Sequence, residues 1–357
     1  MNLKGFFLLI YLLISISLFT LLEVNFLVFG SFFINATLLT LIVIYHLYYE
    51  KKTSPFLSSF IVFNFLFFLV APIIQISSFN SLEATKFVNY FPFTKETTFY
   101  SNVLIAVFNI FFIIFYILFK KNKKLMEVNN IKNTHANYPL YILIVFIASI
   151  FIFIISYDFV IEDLATPSWM EYKASVVKLL GYKKVLFMLP FAGVIMSFHY
   201  LKPQKKINNN SIFVFIYLCA FILLLFWFKN PFTEKRNALG PIYLSLIFLF
   251  IPKLFSSNVK TLSFLFFIMI VLFPLSSILT HSDATFAEII NNPKLLLLEA
   301  KYGGISKTFN TLHYDAFANI NATIGYVSKN GFSYGFQLLS AFLFFVPRSF
   351  WESKPVS

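Results

Sequence analysis

The chain contains very little cysteine and little charge for its length. A single cysteine, Cys219, occurs among 357 residues, which excludes an internal disulfide and a cysteine-based metal site. Charged residues make up 12% and hydrophobic residues 59%, whereas soluble globular domains are about a quarter charged and about half apolar. The composition therefore excludes an ordinary soluble domain and predicts an all-α, polytopic integral membrane protein.

The fingerprints of nucleotide-driven and metal-dependent enzymes are also absent from the sequence. It contains no Walker loop, no GxGxxG, no HExxH and no nucleophile elbow. Its five histidines show no paired ligand spacing, so we expect neither a metal nor a cofactor. The apolar stretches hold almost no acidic residue apart from Glu23 at a boundary, which argues against a proton-coupled transporter.

Nine apolar stretches approach the length of about 20 residues that a membrane-spanning helix needs. They are residues 5–22, 26–48, 56–77, 99–119, 138–157, 185–200, 211–228, 238–252 and 261–279. A tenth stretch, Phe336–Val346, is too short to span, and we expect it to re-enter the bilayer or to lie along it. The sequence thus predicts a bundle of about 9–10 transmembrane helices. We assign 1–279 to this bundle, 280–335 to a large periplasmic loop, and 336–357 to a short membrane segment with a polar motif.

Lysine dominates the basic residues, and its clusters fall in alternate loops. Only Arg236 and Arg348 among the 28 basic residues are arginine. A cytoplasmic N-terminus places the clustered lysines on the inner side, as the positive-inside rule requires. These clusters lie at 51–52, 120–124, 202–206 and 253–260. We therefore predict a multi-pass membrane protein with a cytoplasmic N-terminus, whose net charge of +13 reflects anchoring in the lipid bilayer and not nucleic-acid binding.

The segment Lys229–Arg236 places three cations beside one carboxylate on the predicted outer side. The guanidinium of Arg236 is a planar fork of donors that binds a phosphate in two places. With Lys229 and Lys235, and a helix predicted to begin near Pro241, it forms a candidate site for a lipid-linked diphosphate. For the two lysines a solvated turn with interfacial side chains remains the alternative.

The predicted outer loop contains an amphipathic helix. Its apolar positions recur every three or four residues at Phe309, Leu312, Ala316, Ile320, Ile324 and Val327. Its polar side carries Asn310, His313, Asn319, Asn321 and Lys329, and we expect Gly325, Gly331 and Gly335 to break it. Either His313 or Asp315 is a candidate general base for a sugar hydroxyl. Residues two apart diverge on a helix, so these two need not act together, and His313 also fits an ordinary interfacial histidine.

A dense polar motif, Pro347–Pro355, follows the tenth apolar stretch. It contains the guanidinium of Arg348, the indole of Trp351 and the ammonium of Lys354. The indole suits stacking on a sugar ring or a position at the membrane interface. A re-entrant stretch keeps Arg348 on the outer side, whereas a spanning one turns it to the cytoplasm.

This motif, together with Tyr314-Asp-Ala-Phe317 and Gly331-Phe-Ser-Tyr-Gly335, resembles the O-antigen or oligosaccharide repeat-unit polymerase family of bacterial inner-membrane enzymes. The resemblance implies glycosyl transfer on undecaprenyl-diphosphate-linked oligosaccharides, independent of metal and nucleotide, with arginines holding the diphosphate. It points to Arg348 and Arg236 for the diphosphate, and to Asp315 and His313 for acid–base work. A chain-length regulator and a flippase are the partners it implies. Family members continue past this motif with further spans, so the resemblance also predicts C-terminal truncation at Ser357.

Three other functions fit the same features. A ligase that moves a lipid-linked glycan to a lipid core would share the fold and the arginines. A non-enzymatic flippase or exporter of lipid-linked oligosaccharide would be expected to show repeats and charges within its spans. A structural partner in polysaccharide assembly would not depend on Arg348.

Overall fold

In the computed structural model, the chain is helical throughout its regular structure, and the described residues contain no β-strand. This confirms the all-α fold class. The structure describes residues 2–22, 26–79, 93–120, 137–165, 181, 185–203, 208–230, 234, 236–272, 291–292, 309, 314–343, 346–347 and 349–354. Most of the predicted outer loop 280–335 lies outside these ranges.

The described helices follow the nine predicted apolar stretches and add two near the C-terminus. They are α1 Leu3–Phe19, α2 Phe26–Ile44, α3 Pro55–Phe65, α4 Ala71–Phe79, α5 Lys95–Lys120, α6 Tyr138–Ala165, α7 Met188–Leu201, α8 Asn209–Phe228, α9 Arg236–Phe250, α10 Asn258–Phe267, α11 Ala316–Asn330 and α12 Phe336–Phe342. Among the described residues, π-helical segments interrupt or extend them at Tyr45–Tyr49 after α2, Leu66–Val70 between α3 and α4, and Ile268–Leu272 after α10, and a 3-10 helix, Pro252–Phe255, lies between α9 and α10.

Five of these helical runs are long and apolar enough to cross a membrane. They are Phe26–Tyr49, Pro55–Ser77, Lys95–Lys120, Tyr138–Glu162 and Asn209–Phe228. The other four predicted spans correspond to shorter apolar helices: Leu3–Phe19, Met188–Leu201, Leu239–Phe250 and Asn258–Leu272. The apolar stretches thus form helices as predicted, and five of them reach the length of a span.

The chain divides into two compact units. The first, unit 1, contains residues 1–7, 44–62 and 118–308, and the second, unit 2, contains residues 8–43, 63–117 and 309–357. The residues of the predicted outer loop from 309 onward therefore pack with the N-terminal helices of unit 2.

Unit 1 is built around the mutual packing of α6, α7 and α8. Ile142, Val194, Phe221 and Leu225 form the buried core of this cluster. Gly193 of α7 faces the Phe221 ring of α8 so closely that a β-carbon at this position would overlap the ring. The two helices can approach this closely only because residue 193 has no side chain.

Helix ends that the predicted alternation places on one side contact each other in unit 1. The Lys4 ammonium lies 5.7 Å from the centre of the Tyr48 ring. Lys120, at the end of α5, forms an ion pair with Glu50. The side-chain oxygen of Asn258 accepts from the Ser54 backbone amide at 3.0 Å. These contacts join the start of α1 and the end of α5 to the segment after α2, and the start of α10 to the segment before α3.

Unit 2 encloses an aromatic core in which α11 is anchored. Tyr314 and Phe317 are completely buried. The Phe317 ring packs against Phe32 of α2, with 5.6 Å between ring centres, and Tyr314 packs against Phe67 at 4.9 Å. The start of α11 is therefore held inside the unit by two aromatic side chains three residues apart.

Three helix boundaries differ from the sequence-based expectation. The helix predicted from Phe309 onward begins only at Ala316; α11 then continues through Gly325 and ends at Gly331, whose φ of 75° is in the left-handed region. A glycine without a positive φ is tolerated inside a helix at a modest cost, so Gly325 does not end it. Helix α9 begins at Arg236, five residues before the predicted start at Pro241.

Candidate functional site

The candidate site in unit 2 begins with Asp315, which lies between the two buried aromatic anchors. Asp315 is the N-cap residue of α11, but its side chain makes no capping hydrogen bond. The first turn of α11 is instead closed by the backbone, where the Asn319 amide donates to the Asp315 carbonyl at 2.8 Å. Because Tyr314 and Phe317 fix the backbone on both sides, a partly exposed carboxylate is held at a fixed place on the unit.

One face of α5 carries a row of uncharged polar side chains into the interior of unit 2. Thr98, Ser101, Asn102 and Asn109 are all buried, with Ile105 completing the same face. The positions 98, 102, 105 and 109 recur every three or four residues, so they form one stripe along the helix. We call Thr98, Ser101, Asn102 and Asn109, together with Ser31, Asn35 and Asn321, the polar seam.

Hydrogen bonds connect the polar seam across three helices. The Asn102 amide donates to Ser31 Oγ of α2 at 2.9 Å, and the Asn35 amide donates to the Asn102 side-chain oxygen at 2.9 Å. On α11, the Asn321 side-chain oxygen accepts from the Thr98 hydroxyl at 3.4 Å. The seam therefore joins α2 and α5 to the helix that begins at Asp315.

The side-chain amide of Gln75 holds the backbone at the start of α11. Gln75 of α4 is fully buried and donates to the backbone carbonyls of Phe309 at 2.8 Å and Tyr314 at 3.3 Å. Tyr314 directly precedes Asp315 in the chain. One glutamine side chain thus holds the backbone next to one of the two candidate bases, whereas His313 lies outside the described residues.

The seam contains more hydrogen-bond acceptors than its neighbours use. The side-chain oxygens of Asn35 and Asn109 and the Ser101 hydroxyl are buried without a hydrogen-bond partner among the described residues, as is the side-chain oxygen of Gln75 outside the seam. A buried polar atom without a partner costs about 1–3 kcal/mol. Such atoms are usually paired with water or a ligand, so the three in the seam call for an explanation.

The candidate diphosphate segment in unit 1 is organised by a buried ion pair. Lys229 is 1% exposed, its ammonium lies 3.4 Å from the Glu234 carboxylate, and it sits 4.8 Å from the centre of the Phe187 ring. The positive charge of Lys229 is therefore paired with a carboxylate of the same chain, and Lys229 is not a solvated interfacial lysine. The pair closes the turn that leads into Arg236, the first residue of α9.

The C-terminal motif closes a compact turn after α12. Lys354 donates to the backbone carbonyls of Leu343 at 3.0 Å and Val346 at 2.9 Å. Trp351 packs edge-on against Phe336 at 5.5 Å, and its indole N–H donates to Ser353 Oγ at 3.2 Å. Lys354 therefore ties the end of the short apolar segment to the motif, while Trp351 covers its beginning.

The predicted site residues are distributed over both units. Asp315, Trp351 and Lys354 belong to unit 2, whereas Lys229 and Arg236 belong to unit 1. His313, Lys235 and Arg348 lie outside the described residues, as does the side chain of Arg236. The diphosphate clamp formed by the two arginines therefore stays a prediction. Trp351 and Lys354 both contact the turn that follows α12.

A second polar cluster, absent from the sequence-based predictions, lies in unit 1. His46 and Glu50 are in contact through Nδ1 and Oε2, and both side chains are fully enclosed. His46 Nε2 meets the Ser58 hydroxyl at 2.7 Å, and Lys120 pairs with the other Glu50 oxygen. The four-residue spacing of a histidine and a glutamate at the end of an apolar run was the sequence signal for it.

Comparison with known proteins gives no match: no family model, curated protein or solved structure matches the chain. Within the described part of the chain, no group of three or more His, Cys, Asp or Glu side chains is placed to hold a metal ion.

Proposed function

We propose that this chain is a membrane glycosyltransferase that polymerises undecaprenyl-diphosphate-linked oligosaccharide repeat units into O-antigen or capsule-type polysaccharide. The reaction takes place at the outer face of the bacterial inner membrane, and the N-terminus is cytoplasmic. The observation that supports the proposal is the polar seam, a set of buried, uncharged polar side chains in the unit that also contains Asp315.

The distribution of side chains on α5 supports immersion in lipid. Its buried face is polar, with Asn102 at 1% and Asn109 at 2% exposure. Its exposed face is apolar and includes Leu104, Phe111 and Leu118, each more than half exposed. Water favours the opposite arrangement, whereas a hydrocarbon solvent favours apolar side chains outside and polar groups paired inside.

The chemistry of the seam suits a carbohydrate. Sugars are uncharged and rich in hydroxyl groups that donate hydrogen bonds, and the seam offers unfilled acceptors on Asn35, Ser101 and Asn109. A charged substrate would instead require a fixed counter-charge at the seam, because a buried charge must be paired.

The proposed transfer joins one repeat unit to another through its diphosphate-linked end. The bond between the anomeric carbon and the diphosphate oxygen breaks, and the diphosphate leaves with the electron pair. A hydroxyl oxygen of the acceptor sugar bonds to the anomeric carbon, and its proton passes to Asp315 or His313. The guanidinium groups of Arg236 and Arg348 stabilise the charge on the leaving diphosphate. The sugar–diphosphate bond supplies the driving force.

In this scheme Lys229 has a supporting role. Its pair with Glu234 fixes the turn from which Arg236 starts α9. The first backbone amides of a helix and its dipole favour an anion at the N-terminus, which is where Arg236 stands in α9. Trp351 and Lys354 would position the turn that carries Arg348, and a chain-length regulator and a flippase are the expected partners.

Two alternatives share parts of this evidence. A ligase would use the same donor and differ only in the acceptor, a lipid core. An exporter of lipid-linked oligosaccharide is favoured by one observation, the enclosed His46–Glu50 pair, because ionisable groups inside apolar helices are typical of transporters.

The proposal is tested by complementation of a strain that lacks its own repeat-unit polymerase, with the surface glycan resolved on a gel. The native chain is expected to give a ladder of long glycans. Arg236→Lys and Arg348→Lys should each collapse the ladder toward a single repeat unit at equal membrane expression, because a lysine lacks the bidentate fork. Lys202→Arg, an exposed position on the predicted inner side, is the matched control and should leave the ladder unchanged. A ladder unaffected by either arginine substitution would rule out the arginine mechanism.

A further inference from the structure

The chain returns on itself after α12, the short helix near the end of unit 2. Trp351 packs edge-on against Phe336, the first residue of α12, with 5.5 Å between ring centres. A continuous helix rises about 1.5 Å per residue and would separate these two residues by about 22 Å along its axis. The segment between them therefore begins and ends at the same place in the unit. We call residues 331–354 the C-terminal hairpin.

The hairpin is too short to cross a bilayer, and hydrogen bonds close it directly after α12. The helix has seven residues and is about 10 Å long, a third of the roughly 30 Å of a hydrocarbon core. The Val346 amide then donates to the Leu343 carbonyl at 3.0 Å. The Lys354 ammonium donates to the carbonyls of both residues. The chain thus turns back where a spanning segment would continue.

The two faces of α12 differ in what covers them. Phe336 and Ser340 are one turn apart, and their face is turned toward the rest of the hairpin, where Ser340 is buried. Leu338, Leu339 and Phe342 share the opposite face at spacings of three and four, and all three are exposed. The hairpin therefore presents an apolar helix face away from its own chain.

The turn that leads into α12 holds a tyrosine in a strained conformation. Tyr334 has a φ of 45°, in the left-handed region that glycine adopts freely and other residues adopt rarely. Its side chain is 94% exposed, and its ring lies 6.2 Å from that of Phe332, which is also exposed. Exposure to water stabilises neither ring. At the level of lipid headgroups, by contrast, an aromatic ring with a polar hydroxyl is favoured.

Charged residues lie only outside the apolar part of the hairpin. The sequence from Gly331 to Val346 contains none. Lys329 precedes it and is exposed, and Glu352 follows it and is exposed. Lys354 binds backbone carbonyls, and Arg348 lies outside the described residues. The apolar part can therefore enter lipid without burying a charge, while its charged ends remain in water.

We propose that the C-terminal hairpin is an interfacial segment, which inserts the exposed face of α12 into the outer leaflet of the bilayer and does not cross it. The partner of this surface is the boundary between lipid headgroups and acyl chains. Because both ends of the hairpin then lie on one side, Arg348 stays on the same side of the membrane as Lys329. The proposal rests on the membrane placement in the proposed function.

The anchoring of α11 places the hairpin beside a lipid-facing helix. Asn321 accepts from Thr98 in the first turns of α5, and Phe317 packs against Phe93, just before α5, at 6.0 Å. Helix α11 thus begins beside the end of α5 that is predicted to face outward, and the hairpin follows α11 directly. The exposed apolar faces of α5 and α12 belong to the same unit, and one lipid surface covers both.

The first test determines on which side of the membrane the two ends of the hairpin lie. Lys329→Cys and Glu352→Cys are made separately in the full-length chain with Cys219→Ser. A membrane-impermeant thiol reagent is applied to intact spheroplasts and to inverted vesicles. Both ends are expected to react in the same preparation as Glu96→Cys, an exposed position in the first turn of α5. Lys52→Cys, an exposed position before α3, is the control and should react in the other preparation.

The second test measures whether lipid covers the exposed face of α12. A nitroxide attached at Phe342→Cys should collide more often with oxygen, which concentrates in lipid, than with a water-soluble nickel complex. Leu104→Cys, on the exposed face of α5, is the lipid reference, and Glu96→Cys is the water reference. The label at Phe342→Cys is expected at a depth of about 5–10 Å, the depth of interfacial helices.

Three results would overturn the proposal. Reaction of Lys329→Cys and Glu352→Cys in opposite preparations would show that the segment crosses the membrane. A label at Phe342→Cys that matches the water reference would show that lipid does not cover α12. Shielding of that label from both oxygen and nickel would indicate a second copy or another protein on this face. All substituted positions are exposed, so folding is expected to be retained.

The outcome is separate from that of the proposed function. Neither test measures glycan polymerisation, so an inactive chain with an interfacial hairpin would contradict only the proposed function. The two ends are compared with each other, so a chain inserted in the inverse orientation would still give reaction of both ends in one preparation. An active polymerase whose two ends react in opposite preparations would contradict only the hairpin.

Discussion

The Asn35 side-chain amide donates to both the backbone carbonyl of Asn102, at 3.0 Å, and its side-chain oxygen, at 2.9 Å. This pair joins α2 to α5 through uncharged groups that are almost completely buried. A hydrogen bond between membrane helices contributes only about 0.6 kcal/mol on average. The gain from such bonds is smaller than the cost of the buried acceptors without a partner, about 1–3 kcal/mol each. This difference is what motivates the proposal that the seam binds a ligand.

The first prediction concerns Asn109, whose side-chain oxygen has no hydrogen-bond partner within the described structure. Asn109→Leu removes a buried unsatisfied acceptor, so the unfolding temperature of the protein in detergent should stay the same or rise. If sugar hydroxyls use this acceptor, the glycan ladder should shorten in the same variant. Ile105→Leu, a volume-conserving change on the same face, should alter neither property. A normal ladder from Asn109→Leu would contradict a sugar-binding role for this part of the seam.

The second prediction concerns the Lys229–Glu234 pair. Lys229→Met leaves the Glu234 carboxylate buried without this partner and should destabilise the protein by about 3–5 kcal/mol. Adding Glu234→Gln in the double variant removes the charge and should recover most of that loss. Thermal unfolding of both variants measures the difference. Equal destabilisation in the single and double variants would show that the pair does not hold the turn before Arg236.

The third prediction concerns the contact between α7 and α8. Gly193→Ala places a methyl group against the fully buried Phe221 ring and should cost about 1–3 kcal/mol through overpacking. Gly325→Ala is the control, since a β-carbon at Gly325 meets nothing within 4 Å. Alanine there should be neutral or stabilise α11 by about 0.5–1 kcal/mol. Unfolding temperatures that rank the two variants in the reverse order would show that α7 and α8 do not pack at this distance.

The fourth prediction concerns the turn after α12. Lys354→Met removes the donors to the Leu343 and Val346 carbonyls. Hydrogen exchange across 336–354 should become faster, because hydrogen bonds from a charged donor contribute about 1.5–3 kcal/mol each. Lys329→Met, on an exposed lysine in the last turn of α11, is the control and should leave this exchange unchanged. Equal exchange in the two variants would exclude Lys354 as the group that closes the turn.

The sequence predicted the helices well because composition alone determines them. Runs such as Phe26–Tyr49 and Asn209–Phe228 consist almost entirely of apolar residues, so the positions of these helices along the chain follow from hydropathy. Their ends are less predictable. The start of α9 at Arg236 and the continuation of α11 through Gly325 depend on local contacts that a single glycine or proline does not specify.

The polar parts of the structure were harder to predict, for a different physical reason. Asn35, Asn102 and Asn109 are isolated polar residues within long apolar runs, and their partners are far away in sequence. The polar stripe at three- and four-residue spacing on α5 is present in the sequence. Which face of α5 is buried does not follow from it, because the opposite face is apolar and would be the buried face in a soluble protein. Asn321, predicted on the polar outer face of its helix, is instead fully buried against Thr98.

The most direct measurement uses the purified protein in liposomes with an undecaprenyl-diphosphate-linked repeat unit, without nucleotide and without any other protein. The glycan is resolved on a gel, and released undecaprenyl diphosphate is measured in the same reaction. The proposed function predicts a ladder of polymer lengths with one carrier released for each linkage formed. An unpolymerised repeat unit after incubation with protein shown to be folded, by thermal unfolding of the same sample, would contradict it.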